Sequence, residues 1–586
     1  MRQWMVAAKK ADFYAIAEKF HVDPVVARII RNREVIGEKN IRIYLGGNLS
    51  DLSDPHQMKD MDRLVEILAQ KIRKQVHIRI IGDYDVDGVT SSHLFLMALR
   101  RVGAKVDVVI PHRIQDGYGL SLHLLQQAKE DGVDTILTCD NGIAAIDEIA
   151  WAKAQKMTVL VTDHHAVPFE EHEGRRTEKK SLADAVVNPH QQDCGYPYKE
   201  LCGAGVAWNV IRVLYENYDM DKREAEDLLD FVAMATVCDV MSLTGENRIL
   251  VKEGLKRIRH TKNIGLQALM QACNVQPENI SAYHFGYVLG PCVNATGRLD
   301  TARHALRLFE TGQETEAEEI ARDLVDLNQE RKELTLQGVE MAKKLCEEGG
   351  YENDPVLVLF LPDVHESIAG LIAGRIREMY NRPVFVLTRG EEGVKGSGRS
   401  TENYSMYENM CGCAELFTKF GGHPMAAGLS LPEENVEKFR RKINENCPLT
   451  VEEVCPDIHI DMAMPVGYAS TELVHQFALL EPFGKDNPSP LFADRNLSIS
   501  RMWLIGKNRN VLRMSVLSEY GQPVPVIFFG DVETLFAYFT EKFGQEEVEN
   551  ALHGRKNRIL FSMVYTAKID FYQGNENLQL EMKYYR

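Results

Sequence analysis

No run of apolar residues in the chain comes near the 18 or more that a membrane-spanning helix needs. The first twenty residues, MRQWMVAAKKADFYAIAEKF, also lack the unbroken apolar core of a secretory leader. Both absences lead us to expect a cytoplasmic protein. Cysteine is sparse, with eleven thiols scattered over 586 residues, which excludes a disulfide scaffold and reads as reduced, mostly buried thiols. The one close pair, Cys411 and Cys413, has no second pair near it, so no structural zinc site is expected. Basic charge is in deficit as well, with 68 Lys and Arg against 85 Asp and Glu for a net charge of −17. A protein-wide basic coat for nucleic acid is thereby excluded, and any polyanion must be met by a local patch. What is present, 45% apolar and 26% charged residues, is an ordinary globular composition with length for about four domains.

Residues 1 to 70 read as helical, with Pro24 placed for a first turn. From 76 the texture changes to short β-branched runs: VHIRII (76–81), VDVVIP (106–111), DTILTC (134–139), MTVLVT (157–162) and DAVVN (184–188). Helix-length stretches separate the early runs, which argues for a mostly parallel sheet covered on both faces. Ligands of such sheets bind beyond the carboxyl ends of the strands. There the sequence places GDYDVDG (82–88), Asp140-Asn141-Gly142 and Asp163-His164-His165. Two helical stretches follow, and the second delivers Asp239. A proline-free stretch over 313–348, with Ile320, Leu324, Leu327, Leu334, Met341 and Leu345 at helical spacing, reads as one amphipathic connector helix. Beyond Pro355 a second α/β unit begins with VLVLFL, SIAGLIAGRIREMY and PVFVLT, followed by the glycine-rich turns GSGRS (396–400) and GGH (421–423). From about 450, short strands with Gly and Pro turns suggest a small β-barrel. The expected fold class is α/β, with two α/β units joined by a long helix and a C-terminal barrel.

On a tight loop Asp83, Asp85 and Asp87 alternate, so in an extended segment they would face one way about 7 Å apart. Carboxylates that close repel unless cations lie between them. With Asp140, His164 and Asp239 they form an oxygen-rich set with imidazole, suited to Mn²⁺ or Mg²⁺ more than to Zn²⁺. A shared carboxylate would put two ions roughly 3.5–4 Å apart, the geometry of phosphoester hydrolysis.

GDYDVDG, CDNG, DHH and TVCDV, in this order, resemble the four motifs of the DHH phosphoesterase superfamily. HRIQDGYGL, GPCVNATGRL, GSGRS, GGHPMAAG, EPFGKDNPSPLF and the closing GNENLQLEMKYYR resemble blocks of its RecJ branch of single-stranded-DNA exonucleases. The resemblance implies an N-terminal helical segment (1–70), a DHH catalytic domain (71–310), the connector helix (311–349), a DHH-associated substrate-binding domain (350–447) and an OB-like nucleic-acid-binding domain (448–586). Asp85 and Asp87 would each favour one of two Mn²⁺ or Mg²⁺ ions, Asp140 would bridge, and His164 and Asp239 would complete the second site. Asp83 would be a further ligand or an orienting group, and His165 a phosphate or leaving-group contact. His365, Ser397, Arg399, Gly422 and His423 would meet the substrate, with Arg113 and Arg298 near a terminal phosphate or the nucleic-acid backbone.

The implied activity is 5′ to 3′ removal of mononucleotides from single-stranded DNA in repair and recombination, with a RecQ-type helicase and a single-strand-binding protein as partners. The barrel would add a stacking platform, with Trp503, Phe528 and Phe529 as candidates. The alternative keeps the chemistry and changes the substrate to cyclic dinucleotides or short oligoribonucleotides. Departures from the family pattern are Val364, in place of an aromatic residue, and Cys292, in place of a larger or basic one. The segment after DHH is also longer, and reads as a polar, mobile insertion (166–184).

Overall fold

The computed structural model describes residues 3–112, 119–172, 175–390, 393–506, 509–572 and 574–586. The chain folds into two compact units, one of Leu52–Met241 and Ile249–Pro456, the other of Gln3–Asp51, Ser242–Arg248 and Asp457–Arg586. The segment expected to be helical over 1–70 is therefore divided between them, and it opens with a strand, Trp4–Val6. No helix among the described residues is long and apolar enough to cross a membrane.

In the first unit, β1 (His77–Ile81), α1 (Val86–Arg101), β2 (Lys105–Val109), β3 (Thr135–Cys139), β4 (Thr158–Thr162) and β5 (Ala185–Val187) form the first sheet and its opening helix. The strand order is β2-β1-β3-β4-β5 and every pairing is parallel. Both faces of this sheet are covered, so consecutive residues such as Ile80, Ile81, Leu160 and Val161 are all inaccessible to solvent. Helices α2 (Gly203–Asn217) and α3 (Leu229–Cys238) pack on α1. The insertion after His165 contains an antiparallel hairpin, Phe169–His172 with Arg175–Glu178, rather than only irregular chain. Helix α4 (Gly290–Leu299) leads towards α5 (Glu314–Glu348), whose 35 residues span about 52 Å. The buried stripe of α5 runs through Ile320, Leu324, Asn328, Thr335, Val339 and Ala342, whereas Met341 is exposed. The apolar period is interrupted in mid-helix, where Asn328 reaches Cys292 Sγ on α4.

The second sheet of this unit comprises β6 (Leu357–Phe360), β7 (Val384–Arg389), β8 (Val394–Arg399), β9 (Lys419–His423) and β10 (Ala426–Leu431), in the order β9-β10-β8-β7-β6. Helix α6 (Ala369–Tyr380) covers one face, where Val384 and Val386 pack with Ile372 and Ile376. Phe385, Leu387, Leu429 and Leu431 pack on the other face around Phe439. Residues 396–399 and 421–423, expected as glycine-rich turns, lie within strands β8 and β9. Ladder hydrogen bonds to β7 and β10 hold them extended.

In the second unit, β11 (Phe492–Ile505), β12 (Val511–Leu517), β13 (Pro523–Phe528), β14 (Leu560–Tyr572) and β15 (Asn575–Tyr585) pair in the order β11-β12-β13-β15-β14. β14 pairs back onto β11, closing a barrel. Its core also contains Val25, Ile29 and Ile30 of the helix Pro24–Asn32. Arg33 and Asp461 form a buried ion pair at 2.8 Å. Arg248 donates to the carbonyls of Tyr44, Leu479 and Leu480 and stacks over the Tyr44 ring at 4.0 Å. In the EPFGKDNP block, Asn487 donates to the carbonyls of Leu480 and Pro482 and accepts from the Tyr44 hydroxyl, so this residue ties the unit together. Of the candidate stacking aromatics, Phe528 is buried in the core, Phe529 is exposed, and Trp503 lies half-buried between Arg501 and Arg513.

Candidate metal centre and substrate face

β1, β3 and β4 are adjacent, and acid or imidazole groups follow each of them. The chain leaving β1 turns at once into α1, so Asp83, Asp85 and Asp87 do not alternate along an extended segment. Asp85 is the N-cap, accepting from Gly88 N at 3.0 Å, and Asp87 lies in the first helical turn. A Cβ at Gly88 would stand 2.4 Å from the Asp83 carbonyl oxygen, which fixes glycine at this corner. The turn divides the three carboxylates. Asp83 and Asp85 converge with Asp140, whereas Asp87 converges with His164 and Asp239, and the ligand atoms of each trio lie within 4.8 Å of one another. Asp140, His164 and His165 form a third trio.

Asp140 follows β3 with φ 63°, a left-handed conformation that costs a non-glycine residue roughly 1–3 kcal/mol. Against it lies Gly203 at the start of α2, where a Cβ would be 2.6 Å from Asp140 Cβ. The first amides of α2 hold Asp87, Gly203 N donating to Oδ2 at 2.6 Å and Ala204 N to Oδ1 at 2.8 Å. Asp239 is the C-cap of α3.

His164 Nε2 lies 3.1 Å from Asp140 Oδ1, 3.5 Å from Asp239 Oδ2 and 3.6 Å from Asp87 Oδ2. It makes no hydrogen bond among the described residues, and neither does the buried Asp83 Oδ2. Burial holds the His164 imidazole below its ordinary pKa and so favours the neutral ligand form. Burial first, then the neighbouring carboxylates, pushes Asp83, Asp85 and Asp140 upward. Crowded, desolvated carboxylates with an imidazole nitrogen aimed among them can hold divalent cations, and the oxygen-rich donor set fits Mn²⁺ or Mg²⁺.

His165 differs from its neighbour. Burial opposes its protonation, but its Nδ1 pairs with Asp163 Oδ1 at 2.8 Å, and that carboxylate raises it to about 9. Burial works against the charge on Asp163 as well, yet its hydrogen bonds with His165 Nδ1 and from the amides of Ile143, His164 and His165 keep it below the usual carboxylate range. Asp163 is absent from the site residues expected above, as are the α2 amides and Asn294, whose Oδ1 accepts from Val86 N at 3.2 Å. Two of these left a trace in the sequence. The acid directly precedes the histidine pair, and Cys202-Gly203-Ala204-Gly205 is a run of small residues opening a helix.

Further along α4, Arg298 Nη1 donates to Ser367 O at 2.7 Å, and Ser367 Oγ pairs with His365 Nδ1 at 2.7 Å. A Cβ at Gly370 would be 2.8 Å from both Arg399 Nη2 and Ser397 Oγ. Arg298, His365, Ser397 and Arg399 are thus gathered around one short turn. His423 shares a sheet face with Arg399, both opposite Ala426. Gly422 does not, because it pairs with Ala427 and has the opposite parity; Gly421 and Gly428 are the glycines on the shared face. Arg113 lies outside the described residues. Val364 and Cys292 are both buried, Val364 among the residues under α6.

Acids and imidazoles that can hold divalent cations, at the carboxyl edge of a parallel sheet and followed by a second sheet bared by glycine, define a metal-dependent phosphoesterase of the DHH type. Residues 77–236 match the DHH family N-terminal domain, 353–447 the DHHA1 domain and 460–584 the RecJ OB domain. The chain belongs to the RecJ family. It is 32% identical over 582 residues to the single-stranded-DNA-specific exonuclease RecJ of Haemophilus influenzae, covering 96% of each protein. It is 33% identical over 512 residues to RecJ of Bacillus subtilis, covering 87% of this chain and 63% of that protein's length. The crystal structure of RecJ in complex with Mn²⁺ from Thermus thermophilus superposes with a TM-score of 0.81 at 25% identity, covering all of this chain and 79% of the other.

Proposed function

We propose that the protein is a single-stranded-DNA-specific exonuclease that releases mononucleotides from the 5′ end. The observation that carries this reading is the convergence of His164 Nε2 with Asp87, Asp140 and Asp239. It is supported by the likeness to RecJ of Haemophilus influenzae over 96% of the chain. Asp85, Asp87, Asp140, His164 and Asp239 would hold two ions, with Asp83 as a further ligand or an orienting group. Bound Mn²⁺ or Mg²⁺ would supply the charge that polarises the phosphodiester and lowers the pKa of the attacking water. The α2 amides fix the orientation of Asp87, and Asp163 fixes that of His165. With Nδ1 engaged by Asp163, proton transfer to a departing oxygen falls to Nε2 of a protonated His165. Arg298, Arg399, His365, Ser397 and His423 hold the strand, and the reading carries over to Arg113. A cytoplasmic place of work in DNA repair and recombination, with a RecQ-type helicase and a single-strand-binding protein as partners, belongs to this reading through the family resemblance.

The test uses a 5′-phosphorylated single strand labelled at either end, a duplex and a cyclic dinucleotide, each incubated with Mn²⁺, with Mg²⁺ and with chelator. Mononucleotides should leave the 5′ end of the single strand only when metal is present, with duplex spared. Release from the 3′ end, or preference for the cyclic dinucleotide, overturns the reading.

A further inference from the structure

The hydrogen-bond register of the second sheet sets three rows of residues across β7, β8, β10 and β9. They are Val384–Arg399–Ala426–His423, then Val386–Ser397–Gly428–Gly421, then Thr388–Lys395–Ser430–Lys419. Alternate residues of a strand share a face, so all three rows lie on the side covered by α6, one row about 6.8 Å beyond the last. Helix α6 packs over β7 and β8, while Gly428 on β10 is exposed. At its β10 and β9 positions the middle row is bare. A Cβ added at Gly421 would meet nothing within 4 Å, and one at Gly428 would meet only the Gly396 carbonyl at 3.9 Å.

Above the second and third rows is a cavity of about 450 Å³, lined among others by Ser397, Gly421, Gly428, Thr388, Lys395 and Lys419. Thr388 is fully buried, and its Oγ1 makes no hydrogen bond among the described residues. Lys395 Nζ lies 2.8 Å from Glu366 Oε2, on the turn that forms one wall. A cationic row, a row of glycine and a single hydroxyl, and a second row with two lysines and two hydroxyls therefore follow one another. Their step is comparable with the phosphate-to-phosphate step of an extended single strand.

We propose that Lys395, Lys419, Ser430 and Thr388 form a second phosphate seat, which takes the phosphodiester two nucleotides along from the one held at the Arg399–His423 row. The inference rests on the exonuclease reading and deepens it by assigning part of the protein's hold to strand length. The glycine row leaves room for the intervening sugar-phosphate to lie on the sheet, and the lysines supply charge where the chain as a whole is acidic. Glu366 competes with the incoming phosphate for Lys395, so the seat pairs an anion in either state.

The experiment measures binding of a 5′-phosphorylated dinucleotide, tetranucleotide and twelve-mer of DNA by fluorescence anisotropy in the cleavage-impaired Asp140→Ala protein. The same measurements are made with Lys395→Ala/Lys419→Ala or Glu366→Gln added. Affinity should rise from dinucleotide to tetranucleotide. The double variant should lose most of that rise, leave dinucleotide binding and unfolding temperature unchanged, and flatten the dependence of log affinity on log salt by roughly one to two units. Glu366→Gln should move tetranucleotide binding the other way, making it several-fold tighter. Equal weakening for dinucleotide and tetranucleotide, or an undiminished rise in the double variant, overturns the seat while leaving the exonuclease reading standing. Failure of the parent protein to bind any of the three DNAs overturns both.

Discussion

His164 and His165 are adjacent in sequence and opposite in chemistry. Each has carboxylates within reach, but burial dominates at His164, while a direct pairing with Asp163 outweighs burial at His165. Removing the Asp163 charge should shift the second balance towards the neutral ring. In metal-free protein the His165 imidazole should titrate near 9, and in Asp163→Asn, where burial is opposed only by the more distant charges of Asp239 and Asp87, its pKa should fall. Imidazole NMR titration reads this directly, and an unmoved His165 resonance would show that Asp163 is not the cause. The motif letters Asp163-His164-His165 were legible in the sequence as a cluster at a strand end. Which histidine is neutral was not, because that depends on how deeply each ring is desolvated and on which oxygens face it.

Among the elements, α2 was legible as a helical stretch, but the part its first turn plays beside the acidic cluster was not. Its first two amides fix Asp87, and Gly203 lets the helix come within contact of Asp140. Gly203→Ala would force a methyl group to 2.6 Å from Asp140 Cβ. We expect Mn²⁺ affinity to fall by about ten- to a hundredfold, as when groups that orient metal ligands are lost. Isothermal titration calorimetry checks this, and unchanged affinity would mean that the helix start does not position Asp140. The strand runs of the first sheet were readable because burial on both faces leaves a continuous apolar signal. The glycine segments of the second sheet were read as turns because glycine usually marks them. Here they are strands, and a one-residue difference in parity puts Gly421 rather than Gly422 on the face shared by Arg399 and His423.

At the scale of the whole molecule, like charges gathered in a desolvated pocket oppose folding until cations neutralise them. Mn²⁺ at about a thousandfold excess over its dissociation constant should add about 4 kcal/mol. The unfolding temperature should therefore rise with Mn²⁺, fall back with chelator, and respond far less in Asp140→Ala. An equal response in Asp140→Ala would place the stabilising ions elsewhere. The second unit makes a different demand, since Val25, Ile29 and Ile30 share a core with the barrel. Ending the chain after residue 456 should expose that apolar face and cause aggregation, and removing residues 1–51 as well should restore solubility. Size-exclusion chromatography of the two truncated proteins decides it, and a soluble first truncation would show that the N-terminal helices do not need the barrel. By itself the sequence determined which acids and imidazoles follow which strands, and that two α/β units, a long helix and a barrel succeed one another. Periodicity and motif order are local properties that a single chain displays. Only the tertiary structure decided how Asp83, Asp85 and Asp87 divide between carboxylate clusters, which glycines share a sheet face with Arg399 and His423, and how the surroundings of the two imidazoles differ. Those outcomes depend on desolvation and on distances between residues far apart in the chain, which packing alone sets.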